Sequence, residues 1–345
     1  IGQPVNDNIR NLVNKYGIST DWRDELIKNS APTSDINATL QGGGQTMNYF
    51  VSFNHHQEDG LIEASNMRRS TLAARLNSRL NKFFKVGFSS NFGVQDYSQN
   101  SQWADNSQIY AANPLVAAKM ALPYDAPYYY SFDEAGNLVK GDRAAGLLYS
   151  QFLLPWFTVA NTNQDRKNVT INLSLNEQFT PVEGLTFTAL QSMFGYDLTS
   201  DRASLPYDQF TTPMGQVIDA HTGGVASNFS RYYAYTLTHT AEYRHNFGPH
   251  YVNLLVGEET RIQKGRGIGI VTTGQTDSRR MLLNTATTIT PSAQTDSRSE
   301  EVANSLFGTA EYNFKEKYYA YASLRFDGSS KFAPDHRWGT FGSLG

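Results

Sequence analysis

Between residues 168 and 179 the chain alternates almost without a break. Val169, Ile171, Leu173, Leu175 and Phe179 fall on one phase, and Asn168, Thr170, Asn172, Ser174, Asn176 and Gln178 on the other. Successive side chains of a β-strand point to opposite faces, so this segment makes a ribbon that is oily on one side and hydrophilic on the other. The same period runs through residues 85–95, where Val86, Phe88, Phe92 and Val94 oppose Lys85, Gly87, Ser89, Asn91, Gly93 and Gln95. It returns at 233–244, with Tyr233, Tyr235, Leu237, Ala241 and Tyr243 against Thr236, Thr238, Thr240, Glu242 and Arg244. Noisier versions occupy 34–41, 48–56, 69–80, 185–196, 251–261, 306–314 and 318–327, which predicts about ten strands and an eleventh beginning near Trp338. Most reach the roughly 9–11 residues that a tilted strand needs to cross a bilayer. Helical spacing is confined to the first part of the chain: Ile9, Leu12, Val13 and Tyr16, then Thr20-Asp21 as a cap before Trp22, Leu26 and Ile27.

The connections sort into two kinds that alternate along the chain. Short ones are expected at 42–44, 81–82, 181–184, 247–250 and 315–317, and long ones at 59–68, 96–165, 199–231, 262–300 and 328–337. A membrane barrel has tight turns on one rim and elaborate loops on the other, whereas a soluble sandwich has no reason to gather its long loops at one end. The pattern predicts an all-β, antiparallel, up-and-down transmembrane β-barrel. Irregular backbone facing lipid is not tolerated, so such a sheet must close on itself.

Composition agrees with a polar interior and an apolar outside. Charged residues are 18% of the chain and aromatics 13%, with 20 Tyr and 20 Phe, and the mean hydropathy is −0.47. Asn, Gln, Ser, Thr and Gly fill the gap, a mixture suited to lining a wet channel. Nucleic acid is disfavoured as a partner, because 29 Lys plus Arg face 32 Asp plus Glu and phosphate binding needs a basic excess. The absence of Cys removes disulfides, thiolate metal sites and cysteine nucleophiles. The uncharged stretch at 144–164 would be the best helical span, but Ser150, Gln151, Pro155, Asn161 and Asn163 interrupt it. Both ends read as cuts in a longer protein, Gly345 falling inside an alternating run.

Several stretches resemble one family. Ser19-Thr20-Asp21-Trp22-Arg23-Asp24-Glu25, Asn48-Tyr49-Phe50-Val51-Ser52, Gln57-Glu58-Asp59-Gly60-Leu61-Ile62 and Asn81-Lys82-Phe83-Phe84-Lys85-Val86-Gly87 occur in order. Near the end come Ala322-Ser323-Leu324-Arg325-Phe326, then Asp327-Gly328-Ser329-Ser330-Lys331-Phe332 and Arg337-Trp338-Gly339. Together these resemble the SusC/RagA type of TonB-linked (TonB-dependent) outer-membrane transporters, which import glycan or peptide fragments. The resemblance implies a barrel of about 22 strands around an N-terminal plug, energised through TonB, with roughly half of that barrel in residues 1–345. The plug, the TonB-contacting segment, the signal peptide and the last strands are then expected outside this chain. It also implies a SusD-like surface lipoprotein as partner, an oligosaccharide or peptide as substrate, outer-membrane lipid around the barrel and residence in the bacterial outer membrane. Asp21, Trp22, Asp327, Gly328, Ser329, Ser330 and Trp338 are its motif residues, read as structural.

Candidate substrate-binding residues are the aromatics of the longest connection, Trp103, Tyr128, Tyr129, Tyr130 and Trp156, beside Phe157, since flat rings offer sugars a stacking face. The plainer alternative is that they pack the loop on itself or join an interfacial girdle, as Tyr233 and Tyr319 are expected to pack in girdle or lumen. His55 and His56 are strand neighbours that point to opposite faces and cannot easily share a metal. Gly265-Arg266-Gly267-Ile268-Gly269 lacks the strand-turn-helix setting of a dinucleotide fingerprint. Asn137 and Asp142, in the loop bearing Phe132-Asp133-Glu134-Ala135-Gly136, lack the ligand spacing of a calcium loop and read as a solvated acidic turn. Asp327 beside Ser329 and Ser330 reads as a strand end. No cofactor, metal or catalytic residue is expected, and the protein is not read as an enzyme. The rival readings are a passive outer-membrane pore or adhesin barrel, and a barrel hydrolase.

Overall fold

The computed structural model describes residues 13–14, 17–62, 65–99, 118–119, 121–124, 127–143, 162–211 and 217–345. A short helix, α1 (Trp22–Leu26), precedes a run of strands: β1 (Thr33–Gly43), β2 (Met47–Asp59), β3 (Asn66–Arg79) and β4 (Phe84–Gln99). After a small hairpin of β5 (Tyr128–Phe132) and β6 (Leu138–Arg143) come β7 (Thr162–Val182) and β8 (Leu185–Ser204), then two-residue strands β9 (Phe210–Thr211) and β10 (Val217–Ile218). The chain continues through β11 (Gly223–Phe247), β12 (His250–Gln275), β13 (Thr288–Ile289), β14 (Thr295–Phe314), β15 (Tyr318–Ser329) and β16 (Trp338–Leu344).

The long strands form one antiparallel sheet in the order β1-β2-β3-β4-β7-β8-β11-β12-β14-β15-β16, with β13 added against β12. Every neighbour along this path is the next long strand in sequence, the up-and-down topology the alternation predicts. All five short connections join the expected strand pairs, the first lying at 44–46 rather than 42–44 because Gly42 and Gly43 still pair within the sheet. The β14–β15 turn places Lys315 and Glu316 both at φ 55°, the left-handed pair whose twist matches that of the flanking strands.

Register fixes the two faces, because directly paired residues point the same way. One row reads Tyr49, Leu76, Phe88, Leu175 and the adjacent one Asn48, Asn77, Gly87, Asn176. The apolar phase leaves large side chains uncovered, among them Leu40, Phe53, Phe92, Val256 and Leu324. A soluble fold would bury these, whereas lipid covers them at no desolvation cost. Near the tight turns this face carries a belt of rings: Phe84 lies 6.3 Å from Phe179, which is 6.4 Å from Phe187, and Phe314 lies 4.8 Å from His250 and 6.4 Å from Tyr318. Lys315 and Lys317 lay their ammonium groups 5.3 and 5.4 Å from the Phe314 and Tyr318 ring centres, as expected at a membrane interface. Toward the long loops the same face ends in ion pairs, Arg231 with Asp197 at 2.6 Å and Lys264 with Glu300 at 3.1 Å.

Three hollows are lined chiefly by the polar phase, which marks it as the concave, water-facing side. A fourth, apolar hollow on the outer face lies where Gly308, Ala310 and Ala322 leave room between Leu254, Val256 and Leu324. The strands correct the expected loop bounds. Residues 59, 66–68, 96–99, 162–165, 199–204, 223–231, 262–275, 295–300 and 328–329, assigned above to connections, are strand. Beyond the membrane both faces meet water, so the alternation fades while the backbone ladder continues.

Candidate substrate-facing surface

A single cross-strand row on the concave face reads Arg75, Ser89, Ser174, Ser192, Thr236, Arg261, from β3 to β12. Two arginines thus bracket four hydroxyls. The next row toward the long loops carries Asn91, Asn172, Phe194 and Gln263, and the one beyond it Tyr196 and Tyr232. All of these except Gln263 and Tyr196, which stand at its border, line a hollow of about 500 Å³.

Phe194, Tyr196 and Tyr232 form a compact platform. The Tyr196 and Tyr232 rings stack at 5.6 Å and 26°, and Phe194 lies 6.1 Å from Tyr232 and 6.2 Å from Tyr196. With the Gln263 amide turned to satisfy both neighbours, its oxygen accepts from Arg261 at 2.6 and 2.7 Å and its nitrogen donates to the Tyr232 hydroxyl at 3.3 Å. Among the described residues no carboxylate lines this hollow. The acids nearest to Arg261 on its face are committed elsewhere: Glu259 lies 3.8 Å from Arg325, and Glu301 2.7 Å from Lys331. Neither Arg75 nor Arg261 has an acidic partner among the described residues. Chemically the surface can stack flat rings, exchange hydrogen bonds with hydroxyls and amides, and attract anions.

The candidates read from the sequence fall differently. Trp103, Trp156 and Phe157 lie outside the described residues. Tyr128 and Tyr130 sit on one side of the β5–β6 hairpin, 6.4 Å apart and edge-on. The Tyr128 hydroxyl donates to Glu25 at 2.7 Å, and Lys140 lies 3.5 Å from its ring centre. Burial, then the nearby Glu25 charge, raises the Tyr130 phenol above its ordinary value. Tyr129 points the other way and is 36% exposed. Tyr128 thus ties the hairpin to the segment around α1, with Tyr130 beside it on the same side, and Tyr129 is the ring of the three that faces out.

Asp21 caps α1 by accepting from the Arg23 amide at 2.9 Å. Trp22 is 4% exposed and donates from Nε1 to the Leu122 carbonyl at 3.1 Å, so this pair ties α1 to the long connection. Asp327 accepts from Arg325 Nε at 2.6 Å, and Arg325 also donates to Ser305 at 2.9 Å. A carbon added to Gly328 would meet the Trp338 indole at 2.9 Å, so the ring occupies the space that the glycine leaves. Ser329 and Ser330 close the strand end, the Ser330 hydroxyl accepting from the Val302 amide at 2.9 Å and the Ser329 amide donating to the Arg337 carbonyl at 3.0 Å.

His55 and His56 do face opposite sides, His55 bonded to Ser70 at 2.9 Å and His56 to Asp35 at 2.7 Å. Asp133 closes the β5–β6 turn by accepting from the Asn137 amide group at 2.9 Å and from its backbone at 2.7 Å, which holds its carboxyl below the usual range. In the β12–β14 loop the Arg279 guanidinium pulls Asp277 down to about 2. Among the described residues no cluster of His, Cys, Asp and Glu could hold a metal ion, and no helix is long and apolar enough to cross a membrane. The platform of Phe194, Tyr196 and Tyr232 was not singled out from the sequence. Its one signal there is that 194 and 196 are aromatic on the polar phase of β8.

No protein-family model matches the chain. The TonB-dependent receptor P3 of Formosa agariphila is 25% identical over 335 residues, covering 94% of this chain and 31% of the relative. The TonB-dependent receptor SusC of Bacteroides thetaiotaomicron is 22% identical over 343 residues, covering 94% of this chain and 32% of the relative. The chain therefore spans about a third of the length of these relatives. Among solved structures, the RagAB peptide transporter superposes with a TM-score of 0.71 at 23% identity, covering 95% of this chain and 35% of that one. The RagAB peptide importer in its open-open state gives 0.74 at 22% identity, covering 94% of this chain and 34% of that one. The resemblance to SusC/RagA-type TonB-dependent receptors extends along nearly the whole chain, whose sheet is wall of a bacterial outer-membrane β-barrel.

Proposed function

We propose that this chain is part of the barrel of an energy-coupled importer that carries oligosaccharide or peptide fragments across the bacterial outer membrane. The observation that carries the reading is the concave hollow between Arg75 and Arg261, with its hydroxyl row and three-ring platform. A lumen that served only as a water pore would need polarity but no ring platform or bracketing cations. Residues 1–345 then form one stretch of a larger barrel, since β1 and β16 are each paired on one side only among the described residues. A plug elsewhere in the protein would stand in the lumen, connect to the TonB complex and move to open this wall to the substrate. The long-loop rim, with α1 and the β5–β6 hairpin docked on it, is where a SusD-like lipoprotein would sit. Nothing on the concave wall requires covalent chemistry.

The test uses the full-length protein in the outer membrane of a host cell, with labelled oligosaccharides and peptides and with the inner-membrane energy supply intact or collapsed. Accumulation of one class that stops on de-energising is the expected result. Uptake that is indifferent to energy would replace the importer with a pore, and absence of any uptake would remove the transport reading.

A further inference from the structure

We propose that the hollow between Arg75 and Arg261 takes an anionic oligosaccharide, one whose sugar rings carry carboxylate or sulfate groups. The proposal rests on the import reading only in taking the concave face to be reachable by substrate.

Charge is the first argument. Two guanidinium groups face a hollow that no carboxylate lines among the described residues, and the acids on Arg261's flank are already paired with Arg325 and Lys331. Neither guanidinium is neutralised by a carboxylate among the described residues, Arg261 resting only on the neutral Gln263 amide oxygen, and bonds from a guanidinium to the oxygens of a carboxylate or sulfate are about twice as strong as neutral ones. The row from Arg75 to Arg261 crosses five strand spacings of about 4.8 Å, on the order of 24 Å along the wall, so only an extended ligand touches both.

The surface between the arginines chooses the ligand's backbone. Ser89, Ser174, Ser192 and Thr236 stand one per strand, each able to donate and accept, with Asn172 above them. That is a match for a ligand with hydroxyls around each unit. The Tyr196–Tyr232 stack offers a flat apolar face for the C–H side of a sugar ring. A peptide would most readily be read by adding a strand to an open sheet edge. The six strands of this wall, β3, β4, β7, β8, β11 and β12, are each paired on both sides, so the wall itself has no such edge.

Binding to the full-length protein in detergent tests this by calorimetric titration with oligogalacturonate, its methyl ester, a sulfated galactan oligosaccharide, the desulfated form and a polyglutamate peptide. At least one anionic glycan should bind about ten-fold or more tightly than its uncharged counterpart, with the preference shrinking at high salt. Arg75→Gln and Arg261→Gln should each remove most of that preference, and Arg75→Lys should recover part of it. Tyr232→Ala should weaken charged and uncharged forms alike. Retained resistance of each variant's barrel to unheated detergent gels separates loss of binding from loss of fold.

Equal binding of charged and uncharged forms, failure of both anionic glycans, or an intact preference in the glutamine variants would overturn the proposal. Polyglutamate binding as tightly as the glycans would put an acidic peptide in their place. A neutral oligosaccharide that binds and is imported would overturn the charge assignment while leaving the import reading standing.

Discussion

Replacing Gly195 by alanine puts one methyl group into the space held by the Tyr233 ring, and the consequence can be worked from the contacts. Gly195 of β8 is paired directly with Tyr233 of β11 on the lipid-facing side. A carbon added there would lie 2.5 Å from Tyr233 Cδ1 and 2.8 Å from Cε1, with Ile171 Cγ2 at 3.3 Å on the neighbouring strand. Real carbon atoms do not approach so closely, so the ring must leave its place or the strands must part. Overpacking of this kind costs about 1–3 kcal/mol. Tyr233→Ala removes the ring instead, losing a cross-strand pair of roughly 0.2–1 kcal/mol plus some covered surface. The double variant has no ring to displace, so it should be more stable than Gly195→Ala alone, a coupling of about 1–2 kcal/mol. Outer-membrane barrels keep their fold in detergent until heated, and the temperature at which half the folded band is lost on a gel gives the order of the variants. The expected order is Gly195→Ala lowest, the double variant above it and the parent highest. Gly224→Ala serves as control, because its added carbon would meet nothing nearer than the Thr272 carbonyl at 3.4 Å. A double variant no better than Gly195→Ala, or a Gly195→Ala midpoint equal to the parent's, would refute the packing argument.

Tyr232 and Tyr233 are neighbours on β11 facing opposite sides, so Tyr232→Ala should reduce ligand binding while leaving the melting midpoint within about 0.5 kcal/mol of the parent, as read by the same gel. Trp22→Ala empties a nearly buried site, and a loss of about 3–5 kcal/mol confined to the loop should expose residues 118–143 to external protease without changing barrel heat resistance. Asp277 is held down to about 2 by Arg279, so its contribution is complete above the ordinary carboxylate value of 3.8 and is lost as the pH falls through about 2. Hydrogen exchange at residues 276–282 should quicken across that window in the parent and show no such step in Asp277→Asn. Gly136, at φ +80° in the β5–β6 turn, should cost about 1 kcal/mol when replaced by alanine, read as faster exchange at residues 132–138.

The sheet was legible because lipid imposes one rule on every strand. Val169 to Leu175 could be assigned from sequence without knowing any neighbour, and so could Phe88 and Phe92. The upper ends of β11, β12 and β14 were not legible, since Gly223–Arg231 and Gly265–Gly269 stand above the apolar band, where water meets both faces and nothing demands alternation. Gly265-Arg266-Gly267-Ile268-Gly269 belongs to this region: its glycines lie on the concave side opposite Ser299, Ser297 and Thr295. The aromatics of the longest connection drew attention because rings in a loop invite a ligand; of these, Tyr128 ties its hairpin to Glu25, a contact that only the fold reveals. Phe194, Tyr196 and Tyr232 escaped notice for the converse reason. Each is an ordinary strand aromatic, and their platform exists only once register brings β8 beside β11.

Register is therefore what joins the membrane to the ligand. A slip of one residue anywhere between β3 and β12 would turn Phe92, Leu173 or Leu237 toward water and a serine or asparagine toward lipid, so the outer phase opposes every misalignment of the inner one. The row from Arg75 to Arg261 is assembled from six strands, and its alignment is enforced by side chains that never touch a ligand. Sites carried on such strands are held more rigidly than sites on loops. Substitutions on the inner phase can consequently alter what the wall binds with little effect on how the barrel closes, while the outer phase tolerates only exchanges that stay apolar. Specificity in this wall should vary at positions such as 75, 194, 232 and 261 far more freely than at the lipid-facing positions 173, 193 and 237 beside them.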